Sequence, residues 1–97
     1  MPENITSTRK AIQRLIEIGF RDPEVRRLKS GGVQINLDWS DGRRYTFLLS
    51  AAYRPKIERW KKRAEMLGAD GMIYYNPRTE YLSIVFLKTI AKGERHA

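Results

Sequence analysis

Apolar residues recur three and four positions apart in two stretches of the chain, which is the spacing of a helix with one buried face. The first stretch predicts a helix from Ser7 to Ile18 that ends at Gly19. Its apolar stripe consists of Ile12, Leu15 and Ile16. The second stretch predicts a long basic helix that has Pro55 in its first turn and ends at Gly68. Its stripe consists of Tyr53, Ile57, Trp60, Ala64 and Leu67.

A short helix is predicted between these two, from the segment DPEVRRLKSGG at residues 22–32. Asp22 suits an N-cap, because its carboxylate can accept a hydrogen bond from the backbone of the first turn. Pro23 suits the first helical position and Glu24 the positive end of the helix dipole. Gly31 would end the element.

Strict alternation of apolar and polar residues over VQINLDW, residues 33–39, predicts a strand that pairs with the following RRYTFLL, residues 43–49. A two-residue turn between them would divide the apolar side chains between both faces. A three-residue loop, Ser40–Gly42, collects them on one face, so we expect this loop with Gly42 in a left-handed conformation. The pairs that it predicts are Val33 with Leu49, Ile35 with Phe47, and Leu37 with Tyr45.

A second hairpin is predicted from GMIYYN, residues 71–76, and EYLSIVFLK, residues 80–88, across PRT, as a type I turn with Pro77 at its second position. A loop with an even number of residues places Ile73 and Tyr75 on one face with Leu82, Ile84 and Phe86. The elements together predict one α+β domain over residues 1–97, with flexible ends at 1–5 and 89–97. We expect a two-layer sandwich in which a four-stranded, mainly antiparallel sheet carries helices on one face, in the order α-α-β-β-α-β-β.

The opposite face of the second hairpin is also apolar, and it carries Met72, Tyr74, Tyr81, Val85 and Leu87. A two-layer domain has no further layer to cover these side chains, unless the C-terminal residues fold back over them. Exposed apolar patches of this kind mark interfaces. The sequence therefore predicts a homodimer joined through the second hairpin.

The formal net charge is +8, and most of it lies outside the predicted hairpins. Residues 51–68 contain six cations against two anions, whereas each hairpin is neutral. A field of this sign attracts polyanions, so we expect a non-enzymatic nucleic-acid-binding protein that prefers duplex DNA to RNA. The alternative is an interaction module, such as an inhibitor or assembly factor, with an acidic protein partner. The predicted phosphate contacts are Lys56, Arg59, Lys62, Arg63, Arg43, Arg44, Arg26, Arg27 and Lys29.

Catalytic chemistry has little support in the sequence. His96 is the only histidine and the chain has no cysteine, so a His-based triad or a zinc site is not expected. Asp38 with Glu80 or Asp70 would offer oxygen ligands for Mg²⁺, which leaves a nuclease-like domain as a third hypothesis. We expect no cofactor, no small-molecule substrate and no membrane partner. The absence of cysteines and of a long apolar run indicates a cytoplasmic protein.

In the order of its elements, the run from Val33 to Leu87 resembles the later part of a LAGLIDADG homing endonuclease half. It contains two strands, a basic helix ending in AEMLG, and then GMIYYN with its hairpin partner. The resemblance implies a saddle-shaped DNA binder whose sheet contacts the duplex and whose catalytic acid ends the first helix. The first helix here, TRKAIQRLIEIGF, does not contain that motif. The resemblance therefore covers element order over about half the chain and implies no activity.

Overall fold

The computed structural model describes residues 2–29, 32–50 and 57–90, with backbone only for residues 2–6. The fold is α+β, with two helices and one mixed sheet of five strands. Its elements are α1 (Pro2–Ile18), β1 (Arg21–Arg27), β2 (Val33–Asp38), β3 (Arg44–Leu49), α2 (Ile57–Met66), β4 (Gly71–Asn76) and β5 (Tyr81–Phe86). Within the described ranges neither helix has the length and apolar character needed to cross a bilayer.

Helix α1 begins at Pro2, five residues before the predicted start, and ends at the predicted residue, Ile18. Gly19 closes it with a φ of 134°, and Phe20 N–H donates back to the carbonyl of Leu15 at 3.0 Å. This is a helix end that a glycine is well suited to make. The buried stripe is rotated from the predicted one, because Ala11 and Leu15 are buried while Ile16 is 39% exposed.

The predicted short helix is wrong, because residues 21–27 form an edge strand, β1, with every residue exposed. Strand β1 pairs antiparallel with β2, and the register shifts between Arg21 and Glu24. Pro23 falls within that irregularity, where an edge strand tolerates a missing N–H. Asp22 has a φ of 55°, so it does not adopt the backbone of an N-cap. Pairing with the open side of β2 has overridden the local helix signals.

Both hairpin predictions are confirmed. In the first hairpin, Val33 pairs with Leu49 and Ile35 with Phe47, and Gly42 has a φ of 83°. In the second, Ile73 pairs with Ile84, so the apolar faces divide as expected. Loop length and alternation were sufficient to determine the first register, whereas the sequence left the length of the second loop open.

The two hairpins join in a way that the sequence analysis did not predict. Strands β3 and β4 are parallel, with Leu48 beside Met72, and the sheet order is β1-β2-β3-β4-β5. A parallel connection needs a crossover that returns the chain to the starting end of the sheet, and α2 lies within that connection. The prediction of four mainly antiparallel strands in two layers is therefore corrected to a mixed five-stranded sheet.

The helices cover opposite faces of the sheet, which corrects the expectation that both lie on one face. Helix α1 packs on the first face, in a core that includes Leu15, Phe20, Ile35, Phe47 and Ile73. Helix α2 packs on the second face, in a smaller cluster formed by Leu48, Ala64, Ala69 and Met72, with Trp60, Val85 and Leu87 packed against it. Ile90 is buried in the first core, although a flexible end was expected to begin at Thr89.

Candidate nucleic-acid interface

Trp60 determines how α2 lies on the second face of the sheet. Its indole N–H donates to the carbonyl of Leu48 at 3.3 Å. Its ring lies so close to Gly32 that a Cβ at that position would be 2.9 Å from the ring edge. The indole is therefore directed toward the sheet, as the sequence predicted, and the opposite side of α2 faces solvent.

The solvent side of α2 presents three exposed cations, Arg59, Lys61 and Lys62. Glu58 and Glu65 are interspersed among them, at spacings that would allow pairing along the helix. No salt bridge forms between these acids and the three cations in the part of the chain that the structure describes. Lys61 is not among the phosphate contacts that the sequence predicts, although it is exposed like Arg59 and Lys62.

The remaining helix positions of the predicted basic face differ from these three. Arg63 is half-buried rather than fully exposed, and its Nε is enclosed. Lys56 lies outside the described residues. The phosphate-contacting face predicted on α2 is thus reduced to Arg59 and Lys62, and the structure adds Lys61 beside them.

The end of β1 and α2 lie on the same face of the sheet, and both carry cations, which are about thirty residues apart in the sequence. Leu28 packs against the same cluster as Trp60, and its N–H donates to the carbonyl of Gly32 at 2.9 Å. Arg26 lies on the second face, opposite Gln34, and Lys29 lies in the following turn. We refer to Arg26, Lys29, Arg59, Lys61 and Lys62 as the basic surface. Arg27 pairs with Val33 and so lies on the other face.

Arg43 and Arg44 lie at the opposite end of β2 and β3, roughly 17 Å away along the strands. Arg44 is occupied there: it donates to Asp38 at 2.6 Å and to the carbonyl of Asp22 at 3.0 Å, and it lies 3.6 Å from Glu24. The hydrogen bond to Asp38 raises the pKa of Arg44. Its charge therefore ties β1 to the first hairpin, and it does not belong to the basic surface.

The predicted dimer face is largely covered within the chain. Met72 is fully buried beneath α2, so its assignment to a dimer interface is corrected. Val85 and Leu87 pack against the same cluster. Tyr74 and Tyr81 remain partly exposed, with their ring centroids 6.3 Å apart. The prediction of an uncovered face is wrong because it rests on a two-layer domain, whereas α2 supplies a third layer.

The three carboxylates considered for Mg²⁺ each face a different cation. Asp38 bonds to Arg44, Asp70 lies 3.7 Å from Lys88, and Glu80 bonds to Lys10. The hydrogen bond from Lys10 lowers the pKa of Glu80. Among the residues that the structure describes, no three acidic or histidine side chains are grouped to hold a metal ion. The geometry does not bring this hypothetical site together.

Asp41 has a structural role in the first turn. It accepts hydrogen bonds from Arg43 N–H at 2.9 Å and from the Tyr45 hydroxyl. Desolvation acts to raise the pKa of Asp41, but these hydrogen bonds outweigh it and lower the pKa. The hydrogen bond that the Tyr45 hydroxyl donates to Asp41 raises the pKa of Tyr45.

Comparison with family models, with curated proteins and with solved structures found no match to this chain. The likeness to LAGLIDADG halves therefore stays a likeness of element order. A functional assignment rests on the basic surface and its surroundings.

Proposed function

We propose that this protein is a small, non-enzymatic nucleic-acid-binding domain that contacts phosphates through its basic surface. The observation that carries the proposal is a group of cations at the end of β1 and on α2 that have no salt-bridge partner among the described residues. Lys10, Arg44 and Lys88 are engaged in salt bridges. The five cations of the basic surface form none with the described residues, although acids are present on the same helix.

Phosphate is the ligand chemistry that such a surface suits. Each neutralised phosphate releases condensed counterions, so affinity grows with the number of cations that reach the backbone. These contacts position a protein on nucleic acid and carry little sequence information. We therefore propose binding with weak sequence preference and strong dependence on salt.

Duplex DNA is the preferred ligand in this proposal because the basic surface lacks a stacking platform. Single strands are held by aromatic side chains that stack on unpaired bases. Trp60, the aromatic residue of α2, instead donates to the Leu48 carbonyl and packs against Gly32. A duplex needs only a row of cations beside its phosphates.

The test is a fluorescence titration of the full chain with duplex DNA, single-stranded DNA and RNA at two salt concentrations. Five phosphate contacts predict an affinity loss of roughly 500-fold between 50 and 200 mM salt, from a log–log slope of about −0.9 per contact. Arg59→Glu combined with Lys62→Glu should weaken binding to every sequence and reduce the salt slope by about two.

A matched control is available on the other layer. Arg9 and Arg14 are exposed on α1, which covers the opposite face of the sheet. Arg9→Glu combined with Arg14→Glu changes the net charge by the same amount and should leave most of the affinity intact. Equal losses in both double variants would indicate a general charge effect and contradict a binding surface on α2. Binding to single strands that exceeds binding to the duplex would contradict the preferred ligand.

A further inference from the structure

Strand β5 forms the second edge of the sheet, with β4 as its one neighbour in the strand order. The N–H of Leu87 donates to the carbonyl of Asp70 at 2.9 Å, so the backbone of Leu87 faces β4. Backbone groups of an antiparallel strand alternate in direction along the chain. Leu82, Ile84 and Phe86 therefore direct their N–H and C=O groups away from the sheet. Each offers one donor and one acceptor to an approaching strand.

No charge or proline interrupts this edge. Residues 81–86, YLSIVF, contain no Lys, Arg, Asp, Glu or Pro, the residues that commonly block edge pairing in natural proteins. Tyr81 is 58% exposed and Phe86 is 46% exposed. An unblocked apolar edge of this kind is a template for another strand.

We infer that the strand that occupies this edge is β5 of a second copy of the chain, paired antiparallel about a two-fold axis at Ile84. A two-fold axis perpendicular to the sheet makes the interface self-complementary, and directly opposed residues must share a face. With the axis at Ile84, that residue faces itself, Leu82 faces Phe86, and Tyr81 faces Leu87. All the outward N–H and C=O groups of the edge then have partners.

The two neighbouring symmetric registers satisfy fewer of these groups. An axis at Val85 would place Leu82 opposite Lys88, which lies beyond the end of β5. An axis at Ser83 would place Phe86 opposite Glu80, which has a φ of 57° and is not extended. The outward groups of Phe86 would then remain unpaired. The strand therefore favours the register centred on Ile84.

The charge distribution also favours this edge in a chain with a net charge of +8. The cationic strand β1 lies four strand spacings away, roughly 19 Å at about 4.8 Å each. That distance exceeds the screening length of about 8 Å at physiological ionic strength. Two copies thus meet along a neutral strand, away from the cations of β1.

The same axis leaves both α2 helices on one face of a continuous sheet. This arrangement differs from face-to-face packing of the second hairpin, for which α2 has already covered Met72. The inference rests on the edge of β5 and not on nucleic-acid binding.

The first test is the mass of the full chain by sedimentation equilibrium as concentration rises. The wild-type chain should approach the mass of a dimer. Ile84→Lys would place two ammonium groups opposite each other and should give a monomer. Because Ile84 also packs against the first core, Ser83→Lys is a second variant, with a charge on a half-buried side chain beside the axis. Ser83→Thr is its neutral control and should remain dimeric.

A disulfide tests the register, because the chain has no native cysteine. Facing residues of a hydrogen-bonded antiparallel pair lie about 5.5 Å apart between Cα atoms, within the disulfide range of roughly 4.4–6.8 Å. Ile84→Cys should therefore give a covalent dimer on mild oxidation. Tyr81→Cys places the two thiols six positions apart along the strand, roughly 20 Å, and should not.

Each opposite result overturns a defined part of the inference. A wild-type chain that stays monomeric overturns it entirely. If the amides of Leu82 and Ile84 are nonetheless protected from exchange in that monomer, the chain's own terminal residues cover the edge. A folded Ser83→Lys variant that stays dimeric would place the interface elsewhere. Faster crosslinking of Tyr81→Cys than of Ile84→Cys would overturn the register.

Discussion

The two edges of the sheet are built in opposite ways. Strand β1 exposes all seven of its residues and contains Pro23, a register shift and the cations Arg26 and Arg27. Strand β5 contains no charged residue and no proline. Charges, prolines and irregularities are the means by which natural sheets prevent edge-to-edge pairing. One edge is therefore blocked and the other is open.

This comparison changes how the cations of the chain are interpreted. Arg26 and Arg27 have a sufficient reason to be on β1, because they protect an edge. The exposed cations Arg59, Lys61 and Lys62 of α2 have no such structural reason, although Glu58 and Glu65 on the same helix could have paired with them. Helix α2 therefore provides the stronger support for a phosphate-binding surface, and β1 extends it.

The edges also differ in what holds them to the rest of the sheet. Strand β1 buries none of its own side chains and is tied to the first hairpin through Arg44. Strand β5 is held by ring packing between Phe47 and Phe86, whose centroids are 5.7 Å apart. The close backbone approach at Gly71 holds it as well. Polar ties hold one edge and packing holds the other.

The largest expected effect is at Trp60, which connects α2 to the β1–β2 turn. Trp60→Ala removes a half-buried ring and should lower the free energy of unfolding by about 2–4 kcal/mol, measured by chemical denaturation. Ile57→Ala is the matched control on the same helix: Ile57 is 43% exposed, so its loss should be below about 1 kcal/mol. A Trp60→Ala variant that keeps its stability but binds nucleic acid less would make Trp60 a contact residue.

The next largest effect tests how β5 is packed. At Gly71, a Cβ would lie 2.6 Å from the buried ring of Phe47 and 2.9 Å from the Val85 carbonyl oxygen. Gly71→Ala should therefore cost roughly 1–3 kcal/mol through overpacking. Adding Phe47→Leu, which makes room for the methyl group, should cost less than the sum of the two single changes. Additive losses would indicate that the Phe47 ring is not the obstacle.

A smaller effect tests the polar tie at β1. Arg44→Met leaves Asp38 and Glu24 without their cation and should lower the free energy of unfolding only slightly, because these groups are largely exposed and solvent screens their charges. The hydrogen-exchange rates of the β1 amides should increase more than those of the amides in the other strands. Arg43→Met, at a neighbouring exposed residue, is the control and should change neither quantity. Equal changes in both variants would rule out a specific role for Arg44.

The smallest effect concerns the turn that precedes β5. The hydrogen bond and charge of Lys10 lower the pKa of Glu80. A carboxylate whose pKa is lowered on folding stabilises the protein at pH values above its ordinary pKa. This stabilisation is lost as the pH falls through the pKa of the folded state. Lys10→Met should return the Glu80 pKa toward its ordinary value, which NMR titration can measure, while Arg9→Met should not. An unchanged pKa would contradict this ion pair in solution.

The second hairpin illustrates both the strength and the weakness of the sequence argument. Alternation and an even loop correctly placed Ile73 with Ile84 and, on the other face, Met72 with Val85. The sequence also shows that both faces of this hairpin are apolar, and a dimer interface is predicted from the second of them. Strands buried on both faces are typical of sheets with helices on both sides. Residues 71–76 are apolar on both faces, so the sequence does indicate burial of both. It is α2, and not a second copy of the hairpin, that covers Met72 on the second face.

The candidate site was predictable to the extent that it lies on one element. Trp60 and Ala64 lie on the buried side of α2 as their spacing predicts, whereas Ile57 and Leu67 of the predicted stripe are exposed. The neutralisation of Arg44 and the packing of Leu28 against the same cluster as Trp60 did not follow, since each depends on residues distant in the sequence. The salt bridges that occupy some cations and leave others available exist only after the strands have paired.

The sequence by itself determined the features that depend on near neighbours in the chain: the end of α1 at Gly19, the three-residue loop at Ser40–Gly42, and the register of the first hairpin. Turn geometry and side-chain alternation act over a few residues and leave little choice at these points. Tertiary structure decided that residues 21–27 form a strand, that β3 and β4 run parallel, and that α2 covers the second face. The first two outcomes depend on pairing the free side of a strand with a segment that local propensity does not select. The third depends on burying the apolar side chains of the second face. An open row of backbone groups on β2 was satisfied by β1 despite its helix-like caps, because unpaired backbone groups cost more than a local preference.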